Sequence, residues 1–202
     1  MSLSTIYGIN GVGKDSVANE VRLRNPSLSI TSESKILMYL LGISPEYTAS
    51  YSASREQYKT LEDTPQETIR EVEATSFKEF IGNVATEARS TLVLSHLVFA
   101  LHLDKETSYL TDRDAPEWYL DSGDAFMQLV APSQEVLRRR IGDESSRERT
   151  TAGILEIETH QKLCDEKWQS LTSYVGTSAI CSIVNNVDLM AASKEVEGII
   201  YG

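Results

Sequence analysis

The residues best suited to chemistry lie together near the start of the chain: Gly8-Ile9-Asn10-Gly11-Val12-Gly13-Lys14-Asp15-Ser16. Glycines let a backbone wrap tightly enough for successive N–H groups to aim at one anion. A helix that starts at the end of such a turn adds its partial positive charge. Lys14 adds a mobile full charge that can follow the terminal phosphates of a nucleotide as they transfer. Together these make a P-loop, with Gly8, Asn10, Gly11, Val12, Gly13, Lys14, Asp15 and Ser16 as nucleotide-binding candidates. A dinucleotide-binding turn fits less well, because Gly11-x-Gly13-x-x-Ser16 lacks the third glycine. Asp15 stands where a P-loop usually has the hydroxyl that meets magnesium, and Ser16 follows it. A carboxylate is a hard-oxygen ligand for that ion, but it also repels a triphosphate when no metal intervenes. Asp15 therefore either binds the metal or weakens nucleotide binding.

A P-loop has this meaning only between a strand and a helix, and the flanking pattern supplies both. Ser4–Tyr7 reads as a strand, with Met1-Ser2-Leu3 outside the pattern as an added leader, and a helix runs from the loop to about Arg24. Asn25-Pro26 breaks that helix. Leu28–Thr31 is a second strand, and Ser32 is placed to cap the apolar helix Ile36–Leu41, which Gly42 ends. Ile43–Asp63 is polar and tyrosine-rich and reads as irregular. Thr64-Pro65-Gln66-Glu67 is a helix start, followed by apolar residues at helical spacing from Ile69 to Ala88. Thr91–Leu94 and Phe126–Val130 are buried strands, and Ala131-Pro132-Ser133 opens a helix rich in arginine. A long helix from about Gly153 to Leu171 turns Ile154, Ile157, Cys164, Trp168 and Leu171 inward. Ala179–Val184 is a last strand and Asp188–Ile200 a closing helix. This alternation predicts an α/β P-loop NTPase fold: a five-stranded parallel sheet with helices on both faces, in one domain spanning 1–202.

Bulk properties exclude several classes. A chain of 202 residues can bury a core without disulfides, and Cys164 and Cys181 make neither a disulfide framework nor a zinc site. No apolar run approaches a membrane span and no signal peptide is visible, so a cytoplasmic protein is expected. The net charge of −11 disfavours a broad nucleic-acid surface. Against that acidity, five of the eleven arginines fall between Arg138 and Arg149. Arg138, Arg139 and Arg140 point in different directions on a helix, and Arg138 is assigned to solvent. Arg147 and Arg149 lie two apart in a polar loop, where both forks could reach one phosphate group if the loop closes. His96 ends a buried strand beside the expected site, as a substrate contact or a structural histidine. His102, His160, Trp118 and Trp168 read as structural or surface residues, and Asp112-Arg113-Asp114 as a surface turn or an acceptor contact.

As a whole the chain resembles archaeal-type adenylate kinases within the nucleoside monophosphate kinase superfamily. The resemblance rests on Gly8–Lys14, on Thr64–Ala88 leading into Leu92-Val93-Leu94-Ser95-His96, and on Glu135–Gln161 with Arg139-Arg140 and Arg147-Glu148-Arg149. It implies ATP and Mg²⁺ as cofactors, an acceptor-binding region at about 32–88 and an arginine-bearing lid at about 139–152. Lys14, Arg139, Arg147 and Arg149 would then be catalytic, Ser32 and Arg55 would contact the acceptor, and the backbone at Asn185-Asn186 would cup the adenine. The family's strand ends in Asp-Thr-His where this chain has Leu94-Ser95-His96, and the lid's acid is replaced by Thr150. The missing strand acid and Asp15 could be linked, with the metal's carboxylate moved to the P-loop. The resulting expectation is phosphoryl transfer from ATP to a small acceptor, most simply a nucleoside monophosphate. The alternatives are a deoxynucleotide or another metabolite as acceptor, or a nucleotide-binding regulator with little transfer.

Overall fold

The computed structural model describes residues 2–48, 51–72, 75–76, 79–80, 82–83, 90–96, 120, 123–142, 153–175 and 178–202. Among them are five strands: β1 (Ser2–Tyr7), β2 (Leu28–Ser32), β3 (Ser90–Ser95), β4 (Ala125–Val130) and β5 (Ile180–Asn185). The helices that position the site are α1 (Lys14–Arg24), α2 (Glu33–Leu40), α3 (Arg55–Asp63), α4 (Gln66–Val72), α5 (Ser133–Gly142), α6 (Ile154–Tyr174) and α7 (Leu189–Tyr201). All strand pairs are parallel, in the order β2-β3-β1-β4-β5. The chain runs outward from β1 to one side and later returns to the other, so the strand order reverses at β1. Ligands in open α/β sheets bind at such a switch point, beyond the carboxyl ends of the strands. The P-loop begins there, directly after Tyr7.

The core explains the strand composition. β1, β3 and β4 are buried along nearly their whole length, as expected when helices cover both faces of a sheet. Ile6, Tyr7, Leu92, Phe126, Met127 and Leu129 are fully enclosed. Trp168 of α6 packs against Tyr7 with ring centroids 6.4 Å apart, close to the point where the loop leaves the sheet. The helix α6 buries Ile157, Cys164, Trp168 and Leu171 as the spacing predicts. Ile154, the first residue of the helix, departs from that expectation and is 38% exposed.

Three other expectations need correction. Ser2 and Leu3 belong to β1, pairing with Ser90 and Thr91. Leu3 is buried, and its N–H donates to Asp124 Oδ2 at 2.8 Å. The segment read as irregular contains α3, opened by a capping box. Gln57 N–H donates to Ser54 Oγ at 3.2 Å while Ser54 N–H donates to Gln57 Oε1 at 2.8 Å. Thr64, read as a cap for the next helix, donates its hydroxyl back to Thr60 O at 2.8 Å and closes α3. Other caps agree with the sequence. Ser32 accepts from Lys35 N, Gly42 adopts φ +70° after α2, and Asp188 Oδ1 accepts from Met190 N and Ala191 N at 2.8 and 3.0 Å.

Candidate active site

The P-loop is held from three directions. Gly11 and Gly13 take φ of +84° and +96°, conformations that favour glycine, and no side chain among the described residues caps α1 at Gly13. The helix therefore presents its first backbone N–H groups to the loop rather than to a capping oxygen. From the far edge of the sheet, Asn186 Nδ2 donates to Val12 O at 2.6 Å. From α5, Arg139 donates through NH1 to Val12 O at 2.7 Å and through NH2 to Asn186 O at 2.8 Å. Arg140 Nε donates to Asn10 O at 2.9 Å, with its side chain buried. These groups bond the loop's carbonyls from outside, which favours its N–H groups turning inward.

Lys14 sits inside the turn and is buried. Its Nζ donates to Gly8 O at 2.6 Å, reaches Ile9 O at 3.4 Å, and lies 3.3 Å from His96 Nδ1. An ammonium group only donates, so the pairing assigns Nδ1 of His96 as acceptor and leaves its proton on Nε2. His96 thus belongs to the Lys14 environment. A phosphate oxygen entering the loop would compete for the ammonium with carbonyls and an imidazole, each a weaker partner than an anion.

The arginines separate into different roles. Arg138 is exposed, as assigned, and pairs with Glu135 at 2.7 Å. Arg139 uses Nε on Glu135 Oε1 at 2.8 Å and its other two nitrogens on the loop and Asn186. It therefore lies within α5, against the cradle, rather than in a loop arching over it. Hydrogen bonds from Arg138 and then Arg139 hold the Glu135 carboxyl down to about 2, from an ordinary 4.5. A depressed folded-state pKa contributes stability above pH 4.5 that is lost as the pH falls towards 2. Thermal unfolding should show a limb in that window, and Glu135→Gln should flatten it. An identical limb in the variant would mean that Glu135 is not its source.

The remaining candidates are placed as follows. Asp15 and Ser16 are exposed in the first turn of α1, beside the loop. With oxygens from these two side chains and from the phosphates, the donor set suits a magnesium ion, which keeps several waters and needs only one or two protein ligands. No group of three or more His, Cys, Asp or Glu among the described residues forms a ready metal cage. Ser32 is the N-cap of α2 and Arg55 the exposed first residue of α3, both in the segment after β2. Asn185 ends β5 exposed, whereas its neighbour Asn186 is buried and holds the loop. His160 is buried, as a structural residue should be. Arg147, Arg149, Thr150, His102, Trp118 and Asp112-Arg113-Asp114 lie outside the described residues.

Two residues of this site were named from sequence without their contacts to the loop, and a third, Glu33, was not named. Arg140 and Asn186 act on the loop from 130 and 174 residues away, a distance no local pattern reports. Glu33 is buried at the start of α2 and accepts a hydrogen bond from the Ser95 hydroxyl. An acid in the first turn of a helix usually reads as a helix-dipole residue. Its place directly after β2, at the ligand edge of the sheet, was the available signal.

No protein-family model and no curated protein matches this sequence. Solved structures do match its fold over nearly the whole chain. One is the shikimate kinase of Bacteroides thetaiotaomicron, with a TM-score of 0.59, 11% identity, and coverage of 98% of this chain and 97% of that one. Another is the deoxyadenosine kinase of M. mycoides, with a TM-score of 0.54, 15% identity and 97% of both chains covered. A third is TT1252 of Thermus thermophilus, with a TM-score of 0.51, 16% identity, and coverage of 100% of this chain and 98% of that one. At these identities the likeness is one of architecture, and the architecture of this chain is the α/β P-loop NTPase fold with a five-stranded parallel sheet.

Proposed function

We propose that this protein is an ATP-dependent phosphotransferase acting on a small acceptor, working as a single cytoplasmic domain. The observation that carries this reading is the Lys14 ammonium, buried inside a glycine turn whose carbonyls are bonded from outside by Arg139, Arg140 and Asn186. A turn so built favours phosphate oxygens on its inner side, with the lysine at their terminal end. Asp15 and Ser16 would hold magnesium, which supplies charge neutralisation at the phosphates. Lys14 would follow the transferring group, and Arg147 and Arg149 would neutralise charge on its far side once the lid closes and water is excluded. The chain's contribution is positioning and electrostatics, since phosphoryl transfer needs little covalent help.

The acceptor has two readings. The family resemblance favours a nucleoside monophosphate, met by Ser32, Arg55 and His96. A small alcohol is favoured by Glu33, a buried carboxylate at the same end of the sheet. ADP formation from Mg–ATP, measured against a panel of acceptors, tests the shared claim. Stimulation by one acceptor is expected. Slow hydrolysis indifferent to every acceptor would instead mark a nucleotide-binding regulator. In the same assay Arg147→Ala and Arg149→Ala should each lower turnover by about 10²-fold or more while changing ATP affinity little. Equal losses in both quantities would mean that these arginines bind only ground-state nucleotide.

A further inference from the structure

Glu33 is a buried carboxylate near the phosphate cradle. It is the first residue of α2, 3% exposed, and the Ser95 hydroxyl donates to its Oε2. The register explains why the two meet. Ser32, the last residue of β2, pairs with Leu94 of β3, so the residues that follow them, Glu33 at the start of α2 and Ser95, lie close together. Ser95 in turn pairs with Tyr7 of β1, the residue from which the P-loop departs. His96 follows Ser95 and lies 3.3 Å from Lys14 Nζ. Glu33, Ser95, His96 and Lys14 thus form a row along the carboxyl edge of the sheet, from α2 to the cradle.

Burying a carboxylate is costly unless hydrogen bonds support it, and an apolar residue at this place would avoid that cost. Here the Ser95 hydroxyl donates to the carboxylate, which sits in the first turn of α2. A carboxylate at this edge of the sheet, one strand away from the phosphate lysine, is a poor neighbour for an anionic phosphate acceptor. It suits an alcohol, whose proton must leave as its oxygen attacks. We propose that Glu33 is the general base for a hydroxyl acceptor, so that the substrate is a small neutral alcohol such as a nucleoside or a monosaccharide. The inference rests on the phosphotransferase reading and narrows it. In the step, the acceptor oxygen bonds to the γ-phosphorus of ATP as the bond to the bridging oxygen of ADP breaks. ADP leaves with that electron pair, and Glu33 takes the hydroxyl proton and later returns it to water. Ser95 is a positioning residue, aiming the carboxylate from β3.

The test uses the full chain with Mg–ATP and two matched panels. One holds ribonucleosides, deoxyribonucleosides and monosaccharides; the other holds the corresponding monophosphates. Transfer to a member of the first panel is expected, and Glu33→Gln should lower its kcat by at least about a hundredfold with ATP affinity kept within roughly twofold. Should Glu33→Gln not fold, Ser95→Ala leaves the carboxylate but removes the group that aims it. Its kcat should fall about tenfold or more without a change in KM for ATP. Preference for the monophosphates, or alcohol transfer that survives both substitutions, would overturn the inference and leave the phosphotransferase reading standing. A chain that neither binds nor turns over Mg–ATP would overturn both.

Discussion

Replacing Lys14 by methionine is expected to lower phosphoryl transfer by about 10²–10³-fold, the loss typical of deleting one preorganised charge-stabilising donor. Among the described residues the ammonium is the full positive charge placed inside the turn, and its stem is buried there. Methionine keeps the apolar stem and removes only the charge. Gly8 O and Ile9 O lose a side-chain donor in the variant, so stability should change by about 1–2 kcal/mol at most. Steady-state kinetics with a thermal melt separate the effects: turnover collapses while the folded state persists. Arginine at the same position should not restore activity, because a planar fork cannot occupy a space that an ammonium fills with contacts of 2.6–3.4 Å.

Gly13→Ala should be the most damaging small change in the cradle. Its φ of +96° already costs an L-residue about 1–2 kcal/mol. An added Cβ would also stand 2.6 Å from Asn186 Nδ2 and 3.2 Å from Arg139 NH1. Both atoms are donors to Val12 O, so relief of the clash breaks the bonds that shape the loop. ATP affinity should fall by more than about tenfold, since 1.4 kcal/mol of lost loop geometry already gives that factor. Gly42→Ala is the control. It has φ +70° but open space around the Cβ, so it should cost about 1–2 kcal/mol of stability and leave nucleotide binding unchanged. Similar ATP affinities for the two variants, measured by titration, would contradict this picture of the loop.

What could be read from the sequence was local. The Gly8–Lys14 turn carries its meaning in adjacent residues, and the strands at Thr91 and Phe126 declare themselves by largely apolar runs. The cap at Ser32 and the stop at Gly42 are likewise decided within a few residues. α3 was missed although Ser54 and Gln57 form a capping box, because the tyrosines and charges after it obscure a helical face. The structure of the site depends on contacts that no local rule reports. Asn186 meets Val12 only because β5 and β1 flank β4 in one parallel sheet. Glu33 meets Ser95 only because β2 pairs with β3 in a particular register. The acid missing from the end of β3 directed attention to Asp15, which lies exposed on α1, and Glu33, which the start of α2 brings to Ser95, drew none.

The most direct measurement is the fate of the γ-phosphoryl group. The protein is mixed with magnesium and γ-labelled ATP over the acceptor panels, and the label is followed by chromatography. Label should move to one small acceptor with the wild-type chain and stay on ATP with Lys14→Met, although both proteins are folded. Label that never leaves ATP, or that leaves equally fast with Lys14→Met, would contradict a phosphotransferase built on this cradle.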